Sequence, residues 1–363
     1  MKKILSLTMA LMLALSIASC GSNRASESGD AVSPISESAD VEDSAASSAA
    51  TDDTDKRYKV AMICDSNISD GGWGTACYNA MVDAASSNGW ETDCTDSIDP
   101  SAYYDAIVSY CGQGYDLIYA PGNQYTDAVL KAAEEYPDTA FALLNGSVET
   151  PGKAVNGNVT SLLPNATQIG WIAGAMAGLM TETGIIAFVG GMELDTTREK
   201  YEGYKEAAAY VASQAGGSAA ALDIVYSNSF SDADKGVALA RELIAQGADV
   251  FFGDASAVDS GVRQAIDEAN HAANSIKIYD IAQPSDYLGQ NECIITSQVT
   301  DNASLVGLSM KAVEDGSFGG EVIYGTMQNG VLSAGRISDI VPADTASAYQ
   351  EYITKMIADK FMK

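Results

Sequence analysis

From Tyr58 onward the chain alternates short β-prone runs with longer runs whose apolar residues recur at helical spacing. Lys59–Ile63 shows the first pattern, and the second follows it, with one helical face formed by Trp73, Ala76, Cys77, Ala80, Met81 and Ala84. Strands that alternate with helices assemble into parallel sheets with helices on both faces. The sequence therefore predicts an α/β fold built on doubly wound parallel sheets.

The alternation runs in two sets, one ending near Leu144 and one running from Ile185 to Tyr279. The length of the chain from Tyr58 onward fits two lobes better than a single hydrophobic core. Ligands of open α/β sheets bind beyond the carboxyl ends of the strands, so we expect a binding cleft there. Because Ile276–Tyr279 is predicted to be a strand, Asp280 is expected at its carboxyl end.

One predicted helix, from Asn165 to Met180, has glycine at every fourth position, at Gly170, Gly174 and Gly178. In a membrane this spacing would indicate a seam between spanning helices, but the segment is short and has polar flanks. We therefore expect close helix packing inside a soluble lobe.

The first 57 residues are predicted to be a targeting and tethering segment rather than a folded domain. Lys2 and Lys3 precede an apolar run and then Ala18-Ser19-Cys20, the order of a secretory signal peptide over residues 1–19. The small residues before Cys20 resemble a bacterial lipobox, which makes Cys20 the expected lipidation site. Residues 20–57 are rich in Ser, Ala, Asp and Glu, and we expect a disordered acidic tether.

The charge balance limits the partners. The chain has 20 basic and 49 acidic residues, and so acidic a surface repels nucleic acid and disfavours multiply phosphorylated ligands.

No Cys-x-x-Cys pair is present, so no zinc site is expected. Disulfides are possible, because Cys64, Cys77, Cys94, Cys111 and Cys293 permit one or two of unknown connectivity. The single histidine, His271, lies on a predicted polar helix face and is expected to be solvated rather than catalytic.

The loops after the predicted strands carry the candidate ligand-binding residues. They are Asp70, Trp73, Asn123, Asn145, Phe230, Gly253, Ser256, Asp280 and Thr300. Asp70 and Trp73 have an alternative interpretation as a helix cap and a core residue. Aromatic rings with amides and hydroxyls suit a flat, neutral, polar molecule. Arg198 and Arg263 are interpreted as helix surface, which leaves little positive charge for a carboxylate ligand.

The chain from Tyr58 to about Ala343 resembles the basic membrane protein family, lipoproteins that act as purine nucleoside receptors of bacterial ABC importers. The resemblance rests on Asp70-Gly-Gly-Trp73, Gln113-Gly-Tyr-Asp-Leu-Ile118, Tyr136-Pro-Asp-Thr-Ala-Phe141, Gly170-Trp-Ile-Ala-Gly174-Ala-Met-Ala177, Val189-Gly-Gly191, Gln246-Gly-Ala-Asp249 and Thr296-Ser297. It implies a two-lobed type I periplasmic binding protein fold. The expected N-terminal lobe is 58–161 with 299–322, the C-terminal lobe 162–298 with 323–343, and a C-terminal helix 344–363.

The resemblance also implies roles for single residues. Trp73 and Phe230 take the places of base-stacking aromatics, and Asn145 stands where many members have a base-reading aspartate. Asp280 matches an aspartate that binds ribose hydroxyls, and the loop from Gly253 to Ser256 matches a cleft-lining loop. Two positions depart from the family: Gly74 replaces an asparagine, and Thr300 replaces a lysine near the ribose. These changes weaken the case for an intact ribose.

The expected function is a lipid-anchored, extracytoplasmic receptor that captures a purine nucleoside or related nucleobase for an ABC permease. Its only expected membrane contact is the lipid anchor, and we expect no catalytic residue, cofactor, metal or nucleic acid. A monosaccharide ligand on the same fold is an alternative. An exported nucleoside hydrolase is another, but the carboxylate run Asp-x-Asp-x-x-x-Asp-Asp that such an enzyme would need is missing.

Overall fold

The structure, a computed structural model, describes residues 57–69, 71–146 and 157–358. The predicted signal peptide, nearly all of the tether, Cys20 and Asp70 lie outside these ranges. Within them Cys64, Cys77, Cys94, Cys111 and Cys293 form no disulfide with one another. None of the helices in the described ranges is long and apolar enough to cross a membrane.

The first lobe is built on a sheet of six parallel strands. In spatial order these are β2 (Glu91–Thr95), β1 (Lys59–Ile63), β3 (Leu117–Pro121), β4 (Ala140–Leu144), β5 (Val159–Pro164) and β12 (Val322–Gly325). Helices cover both faces: α2 (Tyr103–Gly112) and α3 (Thr126–Glu135) pack together, and α1 (Trp73–Asn88) packs against α8 (Asn302–Glu314). The predicted doubly wound sheet is confirmed here.

The second lobe is built on a mixed but mainly parallel sheet. Its spatial order is β13 (Leu332–Ala334), β11 (Ile294–Thr300), β10 (Tyr279–Ala282), β9 (Val250–Asp254), β6 (Ile185–Gly190) and β7 (Ala220–Ala221), with β8 (Val225–Tyr226) also beside β6. Only the pairing of β13 with β11 is antiparallel among these. Its helices are α4 (Ala166–Met180), α5 (Asp195–Gln214), α6 (Ala233–Ala245), α7 (Ala257–Ala273) and α9 (Ala343–Ile357).

Two helix pairs of the second lobe pack at backbone distance. A Cβ atom placed at Gly170, Gly174 or Gly178 of α4 would overlap the α5 carbonyl oxygens of Lys200, Tyr204 and Ala208, respectively. The predicted close packing of this helix is thereby confirmed. Glycine plays the same part where α6 meets α7, because a Cβ at Gly261 would overlap the carbonyl oxygen of Ala233. These contacts fix the positions of α5, which carries Lys200, and of α7, which carries Asp259 and Arg263.

The chain passes between the two sheets three times, after β5, after β11 and after β12. Both sheets are parallel in their central strands and have helices on their faces, as a two-lobed type I periplasmic binding protein fold requires. Three features differ from expectation. Strands β5 and β7 were not predicted, and β10 begins at Tyr279, three residues later than the predicted strand.

Candidate ligand-binding site

A cavity lies between the lobes, at the carboxyl ends of their strands. Its volume is about 950 Å³ when the part that opens to solvent is counted, which is within the range of small-molecule sites. Segments 65–66, 71–73, 122–124 and 145 line it from the first lobe. Segments 194–200, 230, 254–263 and 283–287 supply lining residues from the second lobe.

One aromatic ring from each lobe lines this cavity. Trp73 begins α1, and its indole Nε1 donates to the carbonyl oxygen of Pro121 at 2.7 Å, which fixes the plane of the ring. Phe230 follows β8, and its carbonyl oxygen accepts a hydrogen bond from the backbone N–H of Ala257. Gly191 makes room for the Phe230 ring, since a Cβ there would overlap it.

The two lobes touch at the rim of the cavity. The backbone N–H of Trp73 donates to Ser256 Oγ at 3.2 Å. A Cβ on Gly72 would come within 2.8 Å of the same oxygen. Ser256 precedes α7 and has φ +56°, a left-handed conformation that costs free energy for a residue other than glycine. The lobes are therefore in direct contact at the rim of the cavity.

The first-lobe wall is polar and held in place. Asp65 accepts hydrogen bonds at Oδ2 from the hydroxyl of Tyr103 and from Gln124 Nε2, both at 3.0 Å. Burial and the neighbouring Asp65 carboxylate raise the pKa of the Tyr103 hydroxyl, so it remains a donor. Asn123 and Asn145 complete this wall, and Asn145 adopts φ +62°, where asparagine is better tolerated than most residues. This wall offers a ligand both amide donors and oxygen acceptors.

A saturated charge network forms part of the second-lobe wall. Asp254 Oδ1 accepts from Lys200 Nζ at 2.6 Å and from Gln283 Nε2 at 3.1 Å, while Oδ2 accepts from Thr197 Oγ1 at 2.7 Å. Gln283 Oε1 also accepts from Lys200 Nζ at 3.3 Å. Lys200 is only 6% exposed, so the ion pair is nearly desolvated. Asp254 has little capacity left for a ligand.

A second ion pair joins α7 to β10. Arg263 Nε donates to Asp280 Oδ2 at 2.7 Å, and the guanidinium lies over the ring of Tyr287. Although burial alone would lower the pKa of Arg263, the nearby carboxylates of Asp280 and Asp259 raise it, so this side chain stays charged. Burial raises the pKa of Asp280, and the guanidinium opposes that rise.

Asp259 lies one helical turn before Arg263 on α7, lines the cavity and is only 8% exposed. Its Oδ2 accepts a hydrogen bond from the backbone N–H of Ala255, while its Oδ1 has no hydrogen-bond partner among the described residues. Burial raises its pKa to about 7, with smaller contributions from Asp280 and Asp254, whereas Arg263 opposes the rise. Asp259 therefore changes its charge near neutral pH.

The predicted site residues divide into two groups. The cavity is lined by Trp73, Asn123, Asn145, Phe230 and Ser256, whereas Asp280, Gly253 and Thr300 are not among its lining residues, and Asp70 is outside the described ranges. Asp280 is 3% exposed and lies behind Arg263. Gly253 leaves space for Asp259, whose Oδ1 a Cβ there would overlap. The hydroxyl of Thr300 is hydrogen-bonded to the Gln298 side chain.

Among the lining residues that were not anticipated are Lys200, Asp259, Arg263 and Gln283. The interpretation of Arg263 as helix surface is wrong, because its side chain is only 15% exposed. The available signal was its spacing, since Asp259 and Arg263 are four residues apart beside the buried positions Val258, Val262 and Ile266. Gln283 was missed because the predicted strand ended too early.

The departure at Gly74 has a steric reason. A Cβ at this position would overlap the carbonyl oxygen of Asn67 and lie 2.6 Å from Ser66 Oγ. The loop after β1 therefore leaves no room for an asparagine side chain at this position. Within the described ranges no group of three or more His, Cys, Asp and Glu side chains is arranged to hold a metal ion.

Comparison with known proteins identifies this architecture. A family model described as ABC transporter substrate-binding protein PnrA-like matches residues 57–360. The chain is 28% identical to the ABC transporter nucleoside-binding protein BmpA of Lactococcus lactis subsp. cremoris, over 61% of this chain and 64% of that protein. It thus spans less than two thirds of that relative. It is also 23% identical to basic membrane protein B of Borreliella burgdorferi, over 76% of this chain and 80% of that protein.

Solved structures share the fold. A solute-binding protein of an ABC transporter system from Aeropyrum pernix K1 superposes with a TM-score of 0.71 at 20% identity, covering 84% of this chain and 92% of that one. A periplasmic solute-binding protein from Actinobacillus succinogenes with bound D-allose has a TM-score of 0.58 at 12% identity, covering 77% of this chain and 97% of that one. At these identities the likeness concerns the fold alone.

Proposed function

Since the chain belongs to the PnrA-like family of ABC transporter substrate-binding proteins, we propose that it captures a purine nucleoside or a related nucleobase between its lobes. The observation that carries the proposal is the cavity between the lobes, with Trp73 on one side and Phe230 on the other. Two aromatic side chains from opposite lobes suit a flat heteroaromatic ring that is enclosed when the lobes close. The ligand is delivered unchanged.

The polar groups of the cavity support a ligand with several hydrogen-bonding atoms. Asn123, Gln124 and Asn145 offer amides from the first lobe, and Ser256 and Ser260 offer hydroxyls from the second. A purine edge, with or without a ribose, carries donors and acceptors for such groups. The acidic chain disfavours phosphorylated forms, so a nucleoside or base fits better than a nucleotide.

The mechanism we propose is closure. In an open state each lobe exposes one aromatic ring, and ligand binding draws the lobes together until Trp73 N–H reaches Ser256 Oγ. The closed form would then dock on an ABC permease. Anchoring through a lipidated Cys20, with the acidic segment as tether, would keep the receptor at the outer face of the membrane.

The lipid anchor is tested by replacement of Cys20 with serine. This variant should be released from the membrane fraction, and its retention there would contradict the proposed anchor.

The aromatic clamp is tested by two replacements at Trp73. Both Trp73→Phe and Trp73→Leu lose the indole bond to Pro121, but only phenylalanine keeps a ring, and both keep the backbone N–H to Ser256. Stacking on a base contributes about 1–3 kcal/mol. We therefore expect Trp73→Leu to weaken inosine or guanosine binding in calorimetric titration by roughly tenfold or more, and Trp73→Phe to weaken it much less.

Equal losses in the two variants would count against stacking on Trp73. If a monosaccharide binds and purines fail to compete with it, the ligand class is wrong while the receptor fold stands. Release of free base from inosine by the pure protein would instead favour the hydrolase alternative.

A further inference from the structure

The two cationic side chains of the cavity are held in different ways. Lys200 Nζ is engaged by both Asp254 and Gln283. Arg263 uses only Nε, which donates to Asp280, and its Nη1 and Nη2 groups make no hydrogen bond to any residue that the structure describes. These terminal N–H groups belong to a residue that lines the cavity.

The position of Arg263 is fixed before any ligand arrives. Asp280 holds it from behind, and Tyr287 supports the guanidinium at 5.6 Å from its ring centroid. The helix that carries it is set by its backbone contact with α6 at Gly261. A planar donor group that is oriented in advance loses little entropy when it binds, and it selects ligands by geometry.

We propose that Arg263 is a specificity-determining residue that reads two adjacent acceptor atoms on the ligand and thereby selects 6-oxopurines over 6-aminopurines. This proposal rests on the purine-binding function proposed above. The paired N–H groups of a guanidinium match O6 and N7 of guanine or hypoxanthine, both of which are acceptors. Adenine places an amino donor beside N7, so one N–H of the guanidinium would face another donor.

The surrounding carboxylates are consistent with this role. Asp254 is occupied by Lys200, Gln283 and Thr197, and Asp280 by Nε of Arg263, so neither is placed to receive the amino group of adenine. Asp259 Oδ2 accepts from Ala255 N–H, and its Oδ1 lies against Gly253. Asp259 Oδ1 is thus an acceptor without a hydrogen-bond partner among the described residues, whereas Asp254 and Asp280 are already engaged by protein donors.

The test compares dissociation constants of inosine, adenosine and 7-deazainosine, measured by calorimetric titration of the full mature chain. Inosine should bind on the order of tenfold or more tightly than adenosine, and loss of N7 in 7-deazainosine should also weaken binding. In Arg263→Lys, which keeps the charge beside Asp280 but lacks the fork, the ratio of adenosine to inosine dissociation constants should fall to near one.

Two further variants keep this test independent of folding. Arg263→Gln combined with Asp280→Asn removes the ion pair without leaving a buried charge, and it should abolish the preference as well. Arg241→Gln removes an exposed arginine paired with Glu268 and should leave the ratio unchanged. Because a ratio of two constants for one preparation does not depend on the folded fraction, partial unfolding does not mimic the result.

Equal affinity of the unmodified protein for inosine and adenosine would overturn the proposal. So would an inosine preference that survives both Arg263 replacements. In either case nucleosides still bind, so the proposed function stands. If no purine binds at all, both fail.

Discussion

At the residue scale, the cleft is shaped by charged side chains that other charged side chains hold in place. Arg263 and Asp280 form a pair in which both partners are largely withdrawn from solvent. Removal of one partner from such a pair leaves an uncompensated charge and costs about 3–5 kcal/mol. Asp280, to which the family resemblance assigns a contact with ribose, here accepts a hydrogen bond from Arg263, and Arg263 rather than Asp280 lines the cavity.

The residues of the cavity also show how far a binding site can be predicted from single residues in the sequence. Trp73 and Phe230 could be predicted because large aromatic residues in loops after strands stand out in a sequence. Arg263 and Lys200 could not, because a cation on a helix usually faces water. Their burial follows from packing between distant segments, such as the contact of Lys200 with Asp254.

Asp259 gives a prediction about pH. Its pKa is raised by burial to about 7, from 3.8, so the folded protein keeps this proton where the unfolded chain has lost it. The stability that the protonated form contributes is present at low pH and is lost as the pH rises from about 4 to about 7. The limiting slope is about 1.4 kcal/mol per pH unit. Asp259→Asn cannot titrate at this position. The unfolding temperature of the variant minus that of the unmodified protein should therefore increase from about pH 4 to about pH 7 and remain constant above that pH.

The control for this measurement is Asp234→Asn, which removes an exposed carboxylate from the first turn of α6. Its difference from the unmodified protein should change little between pH 4 and pH 7. A difference for Asp259→Asn that does not grow with pH in this range would show that Asp259 is ionised throughout.

At the element scale, the helices could be predicted better than the strands. Each helix from α1 to α9 has a long apolar face or glycine seam that the sequence displays. Strand β5 was missed because it lies between β4 and β12 and is buried on both faces, which removes the alternation of apolar and polar residues. Its Thr160 and Ser161 are both buried, and hydroxyl side chains in a sequence do not stand out as core residues because most of them are exposed.

Strand β10 shows how one side chain shifts a boundary. Asn270 at the end of α7 accepts hydrogen bonds from the backbone N–H groups of Lys277 and Ile278, and it donates to the carbonyl oxygen of Ile278. These backbone groups are therefore occupied before the strand begins at Tyr279. The three-residue shift puts Gln283, rather than Asp280, beyond the carboxyl end of β10.

The glycine seam of α4 gives a prediction at this scale. Gly174→Ala places a methyl group against the carbonyl oxygen of Tyr204 and should force α5 away, at a cost of about 1–3 kcal/mol. Because Lys200 lies on the same helix, ligand affinity should fall as well. Thermal unfolding and calorimetric titration measure the two effects.

Gly112→Ala is the matched control, since a Cβ at this exposed helical glycine meets nothing within 4 Å. It should be neutral or stabilising by up to about 1 kcal/mol. A Gly174→Ala protein as stable as the Gly112→Ala protein would show that α4 and α5 can separate freely.

At the scale of the whole molecule, two sheets that the chain crosses three times create one cavity where their carboxyl edges face each other. Several segments join the lobes, and the contact between Trp73 and Ser256 closes the rim. The two-lobed fold could be predicted because the βα alternation runs twice along the chain. The sequence does not predict which loops meet in the closed form, because those contacts depend on how the lobes approach one another.

We propose that the cavity between the lobes holds a purine nucleoside or base. The most direct measurement is the thermal unfolding of the chain without its predicted signal peptide, in the presence of inosine, guanosine, adenosine, their monophosphates, D-ribose, D-glucose or an amino acid. A ligand at a hundred times its dissociation constant adds about 2.7 kcal/mol and should raise the midpoint by several degrees. We expect such a rise with inosine and guanosine and none with the monophosphates, and a rise with sugars or amino acids alone would contradict the account.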